Sequence, residues 1–554
     1  MALWLSMATS LHAQTQVAVQ GHVPSAVAHS KPIGRLPATN QLRLVFGLPL
    51  RNQHQLDSLI AELQDPASTN YHRWLTPDQF TERFGPTRED YQKVIDFVQR
   101  KGLKVAGFAP NRMQVDAAAP AANVEVALHV SLRLYPHPTE NRSFYAPDTE
   151  PTVDAGVPIE HIAGLDNFIV PHPLGSFDLR PLAATNGVTP YATGSGPGRN
   201  FMGNDFRNAY VPGMTNTGAG QYIAIVDVGG AYYPLDVYMY ETNAGLSTNT
   251  VVTNIAATPG TTLTLTNGTV NAGEEVLDID MAMSMAPGAT ILNYEGEAHD
   301  VFNQIAIDNK AKQMTLSYGF GIDSTIQNIF QEFVAQGQAM SQASGDGGAD
   351  PNGGTGLTGA PYSTIVGGVS LNTVSPGGAW LSDPTWGGSG GGISGYGIPT
   401  WQQGINMSTN LGSVSYRNFP DVAMPADNIF TVYLNGTYVG GTGGTSAASP
   451  LWAGFMALVN QQAASLGKPP VGFVNPAIYA IGKGSHTVYT NCFHDVTTGN
   501  TYNSQNPDRF AACPGYDLCT GWGSPTGSNT INALVGTGTN DFTFYPSQAT
   551  LNLV

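Results

Sequence analysis

The sequence predicts an α/β protein in which a mostly parallel sheet flanked by helices follows a smaller α+β domain. Three observations predict it. Short apolar, β-branched runs alternate with helix-like runs through the rear two thirds, as parallel strands joined by helical crossovers do. A stretch rich in Pro, Gly, Ser and Thr at 171–200 separates that region from what precedes it. Charge is partitioned across the same boundary. Residues 1–183 hold 15 Lys/Arg against 17 Asp/Glu, net −2, and residues 184–554 hold 8 against 23, net −15, which sum to the chain's −17.

Composition narrows the function. Of 554 residues, 41% are hydrophobic and 11% charged, with 65 Gly and 38 Pro. That excludes a disordered chain and, without a strict glycine period, a collagen-like one. An acidic chain with few cations offers no basic footprint for phosphates, so nucleic-acid binding is not expected. A surface nearly free of cations avoids positive self-repulsion when carboxylates protonate, which predicts acid tolerance.

The elements follow in order. Residues 1–13 (MALWLSMATSLHA) read as a truncated secretory signal, and 14–40 as a polar lead-in. A domain of residues 40–170 comes next. LRLVFGLPL alternates as a strand. Gln53–Leu63 and Arg88–Lys101 carry apolar residues at helical spacing, and Gly102 stops the second. KVAGFAP, RMQVDAAA and VSLRLYP are further strands. Residues 171–200 read as an exposed linker, the kind of segment proteases cut.

Residues 201–535 form the larger domain. Tyr222–Val228, Thr290–Gly296, Met314–Tyr318 and Ser363–Val366 read as buried strands. Glu274–Met285, Ile326–Ala343 and Pro450–Leu466 read as the helices between them. Residues 536–554 read as a tail that begins another β-domain. No window reaches the roughly 20 apolar residues of a membrane span, so no membrane partner is expected. Cys492, Cys513 and Cys519 lie within 28 positions. They suit one local disulfide plus a spare thiol in an oxidising compartment. Their spacing lacks the residue pairs of a zinc site.

The sharpest local signal is Gly443-Gly444-Thr445-Ser446-Ala447-Ala448-Ser449-Pro450, followed by a helix-like run. A nucleophile at a helix N-terminus gains from the dipole and from free N–H groups. Read structurally, Thr445 or Ser446 is an ordinary N-cap. A nucleophile needs a base. The larger domain contains only His299, His486 and His494, none in a subtilisin-like setting, so the base is sought among carboxylates.

Glu274 and Asp278 stand at i and i+4 and share one helix face. Two adjacent carboxylates share a proton and titrate as a pair. Such a pair can take a serine's proton in acid, where histidine is already charged. The structural reading is a solvated acidic first turn. Asp346, in Ser344-Gly345-Asp346-Gly347-Gly348, is a third candidate, because a protonated Asp can donate to an oxyanion. It also reads as an Asp in a glycine-rich turn.

Glu274-x-x-x-Asp278, the S-G-D-x-G around Asp346 and the G-T-S-x-x-x-P around Ser446 occur in an order that resembles the sedolisins, the serine-carboxyl peptidases. Ser389-Gly390-Gly391-Gly392, Pro399-x-Trp401-Gln402 and Arg417-x-x-Pro420-Asp421-Val422 resemble further motifs of the family. Tyr71-His72-x-Trp74-Leu75-Thr76-Pro77 and Phe80 resemble its activation propeptide. The match spans roughly residues 40–535. It implies a subtilisin-like catalytic domain behind a ferredoxin-like propeptide.

The resemblance also implies roles. Ser446 is the nucleophile and Glu274 its general base. Asp278 orients Glu274 and shares its proton, and Asp346 helps form the oxyanion hole with the Ser446 N–H. Gly443 departs from the serine common at that place. The resemblance implies one Ca2+ in the catalytic domain, held by carboxylates of Asp495 and Asp517 and carbonyls of Val496, Cys513 and Gly515. Calcium takes six to eight hard oxygen ligands, which such loops can supply. Cys513 stands where glycine is common, and the pairing among the three cysteines stays open.

The expectation is a secreted, extracellular or periplasmic, acid-active endopeptidase. It is made as a zymogen, monomeric, cut in the linker and inhibited by its own propeptide, and it acts on protein or peptide substrates. Three other readings stand beside it: a tripeptidyl exopeptidase of the same family, a subtilisin-type peptidase, and a non-catalytic calcium-stabilised secreted binding protein.

Overall fold

A computed structural model describes residues 15–174, 193–229, 232–247, 250–260, 270–351, 359–430, 432–434, 437–439 and 443–537. The signal-like segment 1–13, residues 175–192 of the expected linker and the tail from 538 onward lie outside the described residues. The chain divides into two compact units: Met1–Arg51 with Thr81–Val170, and Asn52–Phe80 with Pro171–Val554.

The first unit is built on an antiparallel sheet. Its four strands stand in the order Lys104–Phe108, Gln114–Pro120, Gln41–Gly47, His161–Ala163. In chain order these are the second, third, first and fourth strands, the ferredoxin-like arrangement expected. Gln41–Gly47 hides Leu42, Leu44 and Phe46 beneath the helix Arg88–Arg100, whose Val94, Phe97 and Val98 are buried. Thr87 caps that helix by accepting the Asp90 N–H.

Segment Asn52–Phe80 packs with the second unit although its sequence belongs with the first. Trp74 donates Nε1–H to the Pro470 carbonyl at 2.8 Å, and the Leu75 N–H donates to the Ala335 carbonyl at 2.9 Å. The indole lies over two glycines. A Cβ at Gly337 or Gly472 would come within 2.5 or 2.7 Å of its ring.

The second unit carries seven parallel strands in the order Val251–Ala256, Thr290–Glu295, Tyr222–Asp227, Gln313–Leu316, Ala339–Ala343, Ser363–Val369, Val422–Pro425. The inner strands are buried throughout, which is why they read as continuous apolar runs. The expected helix Ile326–Ala343 is corrected. The helix is Ser324–Ala335, and Ala339–Ala343 is a central strand. Gly337 ends the helix in the left-handed region at φ 70. The sequence around it carries no Pro or Asn, so helical spacing appeared to run on.

The cysteine expectation is corrected as well. Cys492, Cys513 and Cys519 are all free thiols. Cys492 and Cys519 are buried, and burial pushes both thiols up, Cys492 to about 11. They pack as small apolar residues. Among the described residues no helix is long and apolar enough to cross a membrane.

Candidate active site

Two helices carry the site. The acidic helix is Val270–Met285 and the serine helix is Thr445–Ser465. They lie side by side because Gly454 has no side chain. A Cβ there would meet Met285 Cβ at 2.7 Å and the Ala282 carbonyl at 2.8 Å. Asp278, Ala282 and Met285 follow i, i+4, i+7, so the face bearing Glu274 and Asp278 is the face turned to the serine helix. Both N-termini therefore lie at the same end, and their dipoles favour negative charge there.

Glu274, Asp278 and Ser446 are all 0% exposed. Ser317, just beyond the strand Gln313–Leu316, donates its hydroxyl to Asp278 Oδ1 at 2.6 Å. Its oxygen also lies 3.4 Å from the Ser446 main-chain carbonyl. That carbonyl lacks its usual helical donor, because the residue four positions on is Pro450. Ser446 Oγ accepts and donates no hydrogen bond among the described residues. Burial holds Asp278 well above the usual carboxylate range; the Ser317 bond pulls it down, and the charge of Asp227 pushes it up.

Asp346 follows the strand Ala339–Ala343 and clamps the residue before Ser446. Its Oδ1 accepts the Thr445 N–H at 2.8 Å and the Thr445 hydroxyl at 3.0 Å. The same hydroxyl accepts the Gly345 N–H at 2.9 Å. The alternative reading of Thr445 or Ser446 as the N-cap is thereby set aside. Gly444, at φ 148, holds the cap position with no side-chain bond, and Asp346 takes a first-turn N–H from another element. Gly443 has a packing reason, since a Cβ there would sit 2.7 Å from the Ala426 carbonyl.

The remaining motifs are braces. A Cβ at Gly390 would strike the Ser344 carbonyl at 2.1 Å, and one at Gly391 the Leu518 carbonyl at 1.6 Å. This glycine run thus locks the Asp346 loop to the Cys513–Cys519 loop. Arg417 and Asp421 form a fully buried ion pair at 2.6 Å. Gln402 donates to the Tyr479 hydroxyl at 2.8 Å.

The loop expected to hold calcium gathers its residues. Asp517 Oδ1 accepts the Cys519 and Thr520 N–H groups, each at 2.9 Å, and Oδ2 accepts the Cys513 N–H at 3.0 Å. Asp495 accepts the Gly515 N–H at 3.0 Å and the Tyr489 hydroxyl at 3.0 Å. Burial raises both carboxyls, Asp517 to about 7. The carbonyls of Val496, Cys513 and Gly515 accept no hydrogen bond among the described residues. Buried Asp517, half-buried Asp495 and three carbonyls without a protein donor among the described residues make a hard-oxygen donor set that fits Ca2+.

The stretch expected to be a free linker begins as a strand. His172–Pro173 pairs antiparallel with Tyr318–Gly319, and the Leu174 N–H donates to the Ser317 carbonyl at 2.9 Å. The chain leaving the first unit therefore runs beside the residue that holds Asp278.

Residues 28–168 match the Pro-kumamolisin, activation domain family. The chain is 30% identical to kumamolisin of Bacillus sp. (strain MN-32) over 90% of its own length and 93% of that protein's. The chain belongs to the sedolisin family. As a sedolisin it is a serine-type peptidase made as a precursor with an activation domain. A solved structure of Pseudomonas sedolisin, a serine-carboxyl proteinase complexed with two molecules of pseudo-iodotyrostatin, superposes with a TM-score of 0.52. It is 25% identical and covers 63% of this chain and 99% of its own. Tripeptidyl-peptidase 1 of Canis lupus familiaris is 25% identical over 91% of this chain and 93% of its own.

Within this sedolisin fold the sequence missed Ser317, Tyr318 and Asp227. Each lies at or just past the C-terminal end of a parallel strand, where α/β sheets place functional groups. Strand-end position was the available signal, but these residues read as the tails of apolar runs.

Proposed function

We propose that this sedolisin is a secreted, acid-active endopeptidase. Ser446 Oγ attacks the scissile carbonyl as Glu274 takes its proton. Asp278 holds Glu274 and shares that proton. Negative charge on the carbonyl oxygen is met by the Ser446 N–H and by a protonated Asp346. Glu274 then protonates the leaving amine, and water hydrolyses the acyl-enzyme by the reverse steps.

The observation that carries this reading is the buried bond from Ser317 to Asp278 beside the start of the serine helix. It sets a carboxyl held above its ordinary range beside the nucleophile's own backbone, with Ser317 Oγ 3.4 Å from the Ser446 carbonyl. A carboxyl pair of that kind works as a base in acid, which favours an acidic working environment. A Ca2+ held by Asp495, Asp517 and the carbonyls of Val496, Cys513 and Gly515 would supply charge that offsets the burial of Asp517.

The pairing of His172–Pro173 with Tyr318–Gly319 supports self-cleavage after this stretch, with the activation domain as the inhibitor. The test is hydrolysis of internally quenched peptides across pH by the wild type, Ser446→Ala and Glu274→Ala. Acid activity lost in both variants is the expected result. Activity peaking at neutral pH, or surviving Glu274→Ala, refutes the mechanism. Release of tripeptides from free N-termini, with no internal cleavage, assigns the exopeptidase reading instead.

A further inference from the structure

A histidine can accept a main-chain hydrogen bond only while one of its ring nitrogens is bare. His22, in the first unit, is 3% exposed and has both ring nitrogens engaged. Ile162 donates its N–H to Nε2 at 2.9 Å, so that nitrogen carries no proton. Nδ1 lies 3.1 Å from the Val19 carbonyl and donates the ring's one hydrogen to it. The two bonds together select a single neutral tautomer.

Each bond has a structural task. His161–Ala163 is the outer strand of the first unit's four-stranded sheet, and Ile162 is its buried residue. Its N–H meets an imidazole where a further strand would otherwise pair, which covers the edge. Val19 is buried in the core of the same unit and follows Gln16–Ala18, which pairs antiparallel with Thr152–Asp154. The His22 N–H donates to Glu150 Oε2 at 2.9 Å. Segment 16–22 is thus held by a strand at one end and by the imidazole at the other. Residue 22 precedes the stretch 28–168 matched by the activation-domain family, so this hold belongs to the chain's own lead-in.

A proton added to the ring goes to Nε2, and the new N–H points at the Ile162 N–H. Two donors then face each other in a buried place, and neither is satisfied there. Two titratable groups face the ring. His161 stacks on it with ring centroids 4.5 Å apart, and charging both rings adds like-charge repulsion. Glu150 Oε2, 3.5 Å from Nδ1, favours a charged ring and opposes release while it is ionised. The Glu150 side chain is 26% exposed, so water screens its pull, whereas the bond it must outweigh is buried.

We propose that His22 is a proton-operated latch. Neutral, it fastens segment 16–22 to the edge strand His161–Ala163; protonated, it lets that segment go. Histidine ordinarily changes charge between about pH 5 and 8, so the latch opens on the acid side of neutrality. Proton uptake breaks no covalent bond. A looser activation domain in acid would assist the maturation proposed above, and that consequence rests on the zymogen reading. The latch itself does not.

The test is hydrogen exchange of full-length Ser446→Ala chain between about pH 8 and about pH 4.5, read by mass spectrometry and corrected for intrinsic rates. The Ser446→Ala background removes self-cleavage if it occurs. Peptides covering 15–23 and 159–164 should exchange about tenfold faster or more in acid. Peptides from the inner strands Gln41–Gly47 and Gln114–Pro120 should keep their protection. His22→Gln takes up no proton, and its amide can both accept from Ile162 and donate to Val19. That variant should stay protected across the range. His161→Phe keeps a ring on the stack without its charge and should shrink the acid loss. Wild-type protection that is the same in acid overturns the latch, as does an acid loss in His22→Gln equal to the wild type's. Where His22→Gln is unprotected already at neutral pH, His161→Phe decides: a smaller acid loss supports the latch, and an unchanged one overturns it. Peptidase inhibition plays no part in this readout, so failure of the zymogen reading would leave the result standing.

Discussion

Ser317 donates its hydroxyl to Asp278 Oδ1 at 2.6 Å, tying the end of the strand Gln313–Leu316 to the acidic helix. The bond favours the charged form of Asp278, so its loss lets the carboxyl keep its proton to higher pH. Ser317→Ala should therefore move the pH limb set by the carboxyl pair upward by up to about one unit, the equivalent of one ordinary buried hydrogen bond. The kcat should fall roughly tenfold or more, with KM little changed. A pH–rate profile checks both. An unshifted limb would remove Ser317 from the proton-holding system.

Gly454 sets the spacing between the two helices. Gly454→Val would place a Cβ 2.7 Å from Met285 Cβ and 2.8 Å from the Ala282 carbonyl. Overpacking of this kind costs about 1–3 kcal/mol. Thermal melting should show that loss. Peptidase activity should fall further than the remaining folded fraction explains, because the nucleophile and the carboxyl pair ride on separate helices.

Asp383 predicts greater stability in acid. It is buried, accepts the Tyr210 hydroxyl at 3.1 Å and the Ser524 hydroxyl at 2.5 Å, and burial pushes it up to about 6. A carboxyl raised on folding contributes stability fully present below its unfolded value. That contribution is lost as pH rises through about 6, to the extent of about 3 kcal/mol. Melting temperature should fall between acidic and neutral pH, and Asp383→Asn should flatten that fall. An identical slope in the variant would mean that other groups carry it.

Asp517 makes the calcium loop sensitive to a chelator. Its carboxylate is fully buried, and the carbonyls of Val496, Cys513 and Gly515 accept no hydrogen bond among the described residues. Chelator at neutral pH should lower the melting temperature by several degrees, and added Ca2+ should restore it. In acid the effect should shrink, because protons then neutralise Asp517 and Asp495. Asp495→Asn should abolish the chelator response of this loop.

Much of this molecule was legible in its residues, for identifiable reasons. The parallel strands were, because burial on both faces leaves unbroken apolar runs such as Tyr222–Asp227. Glu274, Asp278, Asp346 and Ser446 stand out as candidates in the sequence because each sits in a short motif whose spacing resembles a known family. The strand Ala339–Ala343 was not. Its boundary rests on one glycine conformation inside an otherwise helical-looking run. Ser317 and Tyr318 were also missed, since their meaning depends on neighbours distant in sequence, Asp278 for one and Asp227 for the other. The disulfide failed because proximity along the chain says nothing about the direction in which thiols point.

The short pairing of His172–Pro173 with Tyr318–Gly319 leaves a backbone edge that this chain's own segment occupies. The hold on Leu174 is main chain to main chain, and Gly319 leaves room for the visiting side chains, since a Cβ there would press on Leu174 at 2.9 Å and on His172 at 3.2 Å. A sheet edge of that sort reads direction and extension, not residue identity. Extended backbones laid antiparallel to Tyr318–Gly319 become the natural starting scaffold for inhibitors, with selectivity to be added from side chains beyond it.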